Sequence, residues 1–69
     1  MAATYVTILT SEGVARITFV PKLTEAQHGE MPRILAAAKQ KTRRELRDEL
    51  RQLAKRWNVA VTMDQQPIE

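Results

Sequence analysis

Cysteine is absent from this 69-residue chain. That excludes disulfide staples, thiolate zinc sites and any thiol nucleophile paired with a base. Only two glycines occur, Gly13 and Gly29, too few for a phosphate-cradling loop of the Walker or dinucleotide-binding type. Ser11 lies in no Gly-x-Ser-x-Gly elbow. Aromatic residues number one each of tyrosine, phenylalanine and tryptophan. RNA platforms stack bases on two or three aromatics, so Tyr5 beside Arg16 offers at most one stacking position. The only histidine, His28, follows Glu25 at the Glu-x-x-His spacing of carboxylate-bridged metal sites. Such sites need further acidic ligands from other helices, and none are placed to supply them. No metal, cofactor or small-molecule substrate is expected.

Long apolar runs are missing too. None approaches the roughly 18 residues that cross a bilayer. The opening Met1-Ala-Ala-Thr-Tyr-Val has no basic n-region and moves directly into a strand-like pattern. The expectation is no signal peptide and a cytoplasmic location. A chain this short forms one domain, residues 1–69, with a small core. Without disulfides or metal, oligomerisation is the remaining common staple, which points to a homodimer or a permanent partner.

What is present in excess is positive charge, and it is concentrated. The net charge is +3. From Gly29 to Asn58 there are nine Lys/Arg against four Asp/Glu. Lys39, Arg43, Arg47, Arg51 and Lys55 recur every four residues, a row on one side of a helix. Like charges at that spacing cost about 0.2–0.5 kcal/mol per pair in an isolated helix. On a helical wheel Arg43, Arg44, Arg47, Arg51 and Lys55 gather on one flank of the apolar stripe, with Arg33 near them. Glu45, Asp48 and Glu49 take the other flank, where open exposure keeps them from acting as catalytic carboxylates. Arginine's planar guanidinium suits bidentate contact with carboxylate or phosphate.

Two strands are legible at the start. Thr4 to Thr10 (T-Y-V-T-I-L-T) and Val14 to Val20 (V-A-R-I-T-F-V) are rich in β-branched residues and flank the turn Ser11-Glu12-Gly13. Alternation puts Val6, Ile8, Ala15, Ile17 and Phe19 on one face. Tyr5, Thr7, Leu9, Arg16 and Thr18 take the other, where Tyr5 and Arg16 are candidate contacts for a partner.

Pro21 ends the second strand. Thr24 followed by Glu25-Ala26-Gln27 is a capping-box signature, so one loose turn is expected at 24–28, interrupted by Gly29 and Pro32. A long helix should start near Glu30 or Met31 and run to Trp57, with Met31, Leu35, Ala38, Thr42, Leu46, Leu50, Leu53 and Trp57 as its apolar stripe. Asn58 is its expected C-cap. Val59 to Met63 reads as a third strand, and Asp64-Gln-Gln-Pro-Ile-Glu as a frayed tail.

The expected fold is therefore α+β, β-β-α-β: an antiparallel hairpin and a third strand packed on one long amphipathic helix. A helix of roughly 26 residues spans about 39 Å, against about 24 Å for a seven-residue strand. The overhang argues for a second copy of the chain covering the surplus stripe. A kink near Lys39–Thr42 making a helical hairpin is the alternative. Functionally, the pattern points to a non-catalytic protein-binding adaptor or inhibitor, homodimeric, docking through a basic helix face or a sheet edge. The alternative is a small regulator gripping nucleic-acid phosphates with Arg33, Arg43, Arg44, Arg47, Arg51 and Lys55. Membrane docking is not expected, because the apolar stripe is needed by the sheet and acids flank it.

Overall fold

The computed structural model describes residues 2–68. Met1 and Glu69, the two ends of the expectations above, lie outside the described residues. Strands β1 (Thr4–Thr10) and β2 (Gly13–Val20) form the expected hairpin, in register from Thr4↔Phe19 to Thr10↔Gly13. Ser11 and Glu12 make the turn, and Gly13 follows at φ +110°, where a side chain would be strained. The Thr10 hydroxyl accepts the Glu12 N–H and donates to the Gly13 carbonyl, closing the turn from inside.

Helix α1 (Glu25–Ala38) begins five or six residues earlier than expected. Thr24 and Gln27 form the anticipated capping box. The helix runs on through Gly29 and Pro32 without a break. Pro32 removes the N–H that would reach the His28 carbonyl, but both residues are exposed, so water can satisfy that carbonyl. The buried side chains Met31, Ile34 and Ala38 hold the other side.

The single helix over 31–57 does not form, and the alternative expectation, a break near Lys39–Thr42, holds. Lys39 ends α1, the Gln40 and Lys41 amides fall back on the Ala37 and Ala38 carbonyls, and α2 (Arg43–Trp57) starts afresh. The cause is a second capping box. Thr42 is extended (φ −71°, ψ 165°), its hydroxyl accepts the Glu45 N–H at 3.1 Å, and the Glu45 carboxylate accepts the Thr42 N–H at 2.9 Å. Thr42 is therefore a cap, not a member of the apolar stripe. The β1–β2 turn locks this corner. The Ser11 N–H and hydroxyl both donate to the Lys41 carbonyl, at 2.9 and 2.8 Å, and Glu12 accepts the Arg43 N–H at 2.7 Å.

Asn58 caps α2 in the left-handed region, as its position in the sequence suggests. Strand β3 (Ala60–Met63) pairs antiparallel with β2. The tail is not frayed. Asp64 and Gln65 both take positive φ, at 52° and 68°, which is the backbone of a type I′ hairpin turn. They return the chain as β4 (Gln66–Pro67) beside β3, and the Ile68 N–H reaches the Val61 carbonyl.

The architecture is thus α+β in the order β-β-α-α-β-β, an antiparallel sheet β1-β2-β3-β4 with both helices on one face. Helix α1 lies over β1 and α2 over β3. The core joins Ile8, Ala15, Ile17, Phe19, Val61 and Met63 from the sheet to Leu23, Met31, Ile34, Ala38, Leu46, Leu50 and Leu53. Trp57 closes one end, its ring 6.1 Å from that of Phe19. Helices of 14 and 15 residues span about 21–23 Å and match the strands. The overhang that argued for a covering copy is therefore gone.

Candidate functional site

Breaking the rod also breaks the cationic row. Lys39 sits at the end of α1, off the α2 axis. Arg33 lies on α1, 3.2 Å from Glu30, in a crevice with Ile34, Glu49, Gln52, Leu53 and Arg56. That crevice borders the acidic flank of α2, so Arg33 does not join the other candidates. Arg51 pairs weakly with Asp48 at 3.5 Å, and its Nε is buried without a hydrogen-bond partner.

Arg43 is committed to the fold. Its guanidinium donates to the Val14 carbonyl at 3.0 Å and pairs with the Asp64 carboxylate. Asp64 Oδ1 in turn accepts the Arg16 N–H at 3.0 Å, and the Asp64 N–H donates to the Arg16 carbonyl. One side chain thus ties the start of α2 to β2 and to the β3–β4 turn. Arg44, Arg47 and Lys55 are exposed and make no ion pair among the described residues. Arg44 and Arg47 line an open groove of about 500 Å³ with Arg43, Met63, Gln66 and Ile68, but Glu12 and Asp64 line it as well. An incoming phosphate would meet two carboxylates beside the cations.

Glu45 differs from the other acids. The Thr42 backbone N–H lowers its carboxyl from the ordinary value, helped by the Thr42 hydroxyl, opposed by desolvation, and helped least by Lys41. Its role is to cap α2. Glu25 occupies the first turn of α1, with His28 exposed three residues on.

The other candidate surface is the sheet. Its face away from the helices carries Tyr5, 79% exposed, Leu9, 52%, and Val14, 53%. Leu9 and Val14 are cross-strand partners, Tyr5 pairs with Thr18, and Thr7 pairs with Arg16. Tyr5 and Arg16 therefore lie on the face expected for them, and Val14 extends its apolar area.

The edges of this sheet are unequal. On β2, the Arg16 N–H and C=O and the Val14 C=O all bond on the side away from β1. Alternation then turns Ala15, Ile17 and Phe19 toward β1, where they meet Ile8, Val6 and Thr4. Tyr5, Thr7 and Leu9 consequently point their N–H and C=O groups outward, and no described residue bonds them. The seven residues of β1 include no charge, no proline and no bulge. The opposite edge, β4, is two residues long, and Pro67 lacks the N–H that would point outward there. Short length and proline are the usual protections of an edge strand, and β1 has neither. Which strand is the edge is a tertiary fact with no signal in the local pattern.

Among the described residues no helix is long and apolar enough to cross a membrane. No protein-family model, curated protein or solved structure matches the chain.

Proposed function

We propose that this chain is a small, non-catalytic protein-binding adaptor or inhibitor whose binding element is the open edge of β1. The observation that carries the reading is the asymmetry of the sheet: one edge is short and carries proline, while the other is long, uncharged and leaves three consecutive outward residues unbonded. Such an edge accepts an extended strand through main-chain hydrogen bonds, and the flanking side chains supply selectivity. Tyr5, Leu9 and Val14 form the apolar part of that selectivity on the open face, and Thr7 and Arg16 the polar part. Binding of this kind needs no cofactor and no catalytic group.

A second reading is favoured by one observation, the gathering of Arg44, Arg47, Arg51 and Lys55 on one flank of α2. On that reading the flank grips nucleic-acid phosphates, and affinity falls steeply with salt. It is the weaker of the two, because Arg43 is tied to Asp64 and two carboxylates share the groove.

A benzophenone side chain installed at position 9 or position 47 separates them. Irradiated in the producing cell, the position 9 protein is expected to form adducts with a polypeptide, either another protein or another copy of the chain. Adducts confined to position 47 and consisting of nucleic acid would overturn the protein-binding reading in favour of the second.

A further inference from the structure

Resting on the reading of β1 as the binding element, we propose that the strand it takes is β1 of a second copy of this chain, antiparallel, about a two-fold axis at Thr7. The argument begins with parity. Tyr5, Thr7 and Leu9 are the residues whose backbone groups face outward. A two-fold at Thr7 sets Thr7 against Thr7 and Tyr5 against Leu9 of the second copy, so every outward group meets an outward group. Each such pair exchanges two bonds, giving about six in all. Moving the axis to Val6 or Ile8 also keeps each side chain on its own face. It then leaves Leu9 facing the chain before β1, or Tyr5 facing Ser11, whose N–H already serves the Lys41 carbonyl. The axis at Thr7 uses all of the strand.

The side chains agree with this register. On the open face Tyr5 comes beside Leu9 of the second copy, covering two of the three large apolar residues exposed among the described residues. On the helix face Val6, only partly buried in the single chain, comes beside Ile8 of the second copy. No charge lies on β1, so self-pairing brings no like charges together.

Helix α1 lies over β1 and would meet its counterpart across the same axis. Its α2-facing side is identified by Glu30, which receives Arg56, and by Arg33 in the crevice with α2. The opposite flank carries Pro32, Leu35 and Ala36, small or apolar side chains suited to a helix approach of about 8–10 Å, with the polar His28 beside them. Glu25 lies at one end of α1 and Lys39 at the other. Antiparallel about the axis, each glutamate comes alongside the lysine of the second copy. Backbone, side chains and end charges thus select the same self-complementary arrangement, as a closed two-fold dimer requires.

The test is sedimentation of the full chain from micromolar to submillimolar concentration. A dimer of the 7.9 kDa chain is expected. Thr7→Pro removes an N–H that has no partner in the single chain, so a folded monomer by circular dichroism is expected. Should that variant not fold, Thr7→Cys replaces it. A hydrogen-bonded antiparallel pair sets Cα atoms about 5.5 Å apart, within disulfide reach, so Thr7→Cys should oxidise to a linked dimer. Thr18→Cys, on the same face one strand inward, should not. Wild type that stays monomeric throughout overturns the second copy as occupant. So does a dimer that persists in folded Thr7→Pro, or one linked as readily through Thr18→Cys. A monomer that still gives adducts with another protein from position 9 overturns this proposal alone; absence of any polypeptide adduct from position 9 overturns the reading beneath it.

Discussion

Arg43→Ala should be the most damaging single change among the cations of α2, although it lies in the row whose pattern suggests ligand binding. The structure gives the magnitude. The guanidinium donates a charge-assisted bond to the Val14 carbonyl, and such bonds contribute about 1.5–3 kcal/mol when well shielded. Here the side chain is 37% exposed, so the low end applies. The ion pair with Asp64, itself 40% exposed, adds at most about 1 kcal/mol after screening. Asp64 keeps the Arg16 N–H as a partner, which limits the cost of leaving it unpaired. The expected loss is about 1.5–2 kcal/mol, or roughly 6–16 °C in Tm for a domain of this size. Arg44→Ala and Arg47→Ala should stay within about 0.5 kcal/mol of wild type. Urea unfolding followed by the fluorescence of Trp57, the only tryptophan, reads all three. An Arg43→Ala midpoint indistinguishable from that of Arg44→Ala would refute the clasp. Combining it with Asp64→Asn should recover a coupling of about 0.5–1 kcal/mol.

Thr42→Ala removes the side-chain half of the α2 cap and should cost about 1–2 kcal/mol in the same assay, whereas Thr42→Gly should cost less than its loss of a side chain suggests. Gln65→Gly relieves a non-glycine residue at φ 68° in the β3–β4 turn and should stabilise the fold by about 1 kcal/mol, measured as an upward shift in Tm. Glu45 has its folded pKa below the usual value of 4.5, so its stabilising effect is present above that value and is lost as pH falls through the lower, folded-state pKa. Glu45→Gln should therefore flatten the decline in stability on the acid side, while a profile identical to wild type would show that the cap does not depend on ionisation.

Local chemistry made much of this fold legible. The β1–β2 hairpin followed from alternation and a glycine after the turn, the capping box at Thr24 and Gln27 from its spacing, though the helix it starts was expected to break at Gly29, and the end of α2 from Asn58. The break between the helices was legible only as the alternative, a kink near Lys39–Thr42, because apolar residues at three- and four-residue steps continue from Ala38 through Thr42 to Leu46 as though nothing intervened. The signal was nevertheless present: Thr42-Arg-Arg-Glu45 has the same capping-box spacing as Thr24 to Gln27. Strand β4 was hidden for a different reason. Asp64-Gln65 lacks the glycine that usually marks a type I′ turn, and the turn is held instead by Arg16 and Arg43 from distant parts of the chain. The segregated charge on α2 was visible on a helical wheel. That Arg43 is bound to Val14 and Asp64 was not, since those contacts depend on tertiary placement. The open edge of β1 belongs to the same class, because a strand's neighbours are set by the whole sheet.

Amide hydrogen exchange along β1, followed by NMR as the chain is concentrated, addresses the central claim most directly. In dilute solution Val6 and Ile8, bonded to β2, should be protected while Tyr5, Thr7 and Leu9 exchange freely. On concentration those three should become protected together. Tyr5, Thr7 and Leu9 amides that remain unprotected at every concentration, in a chain that nonetheless dimerises, would contradict the account.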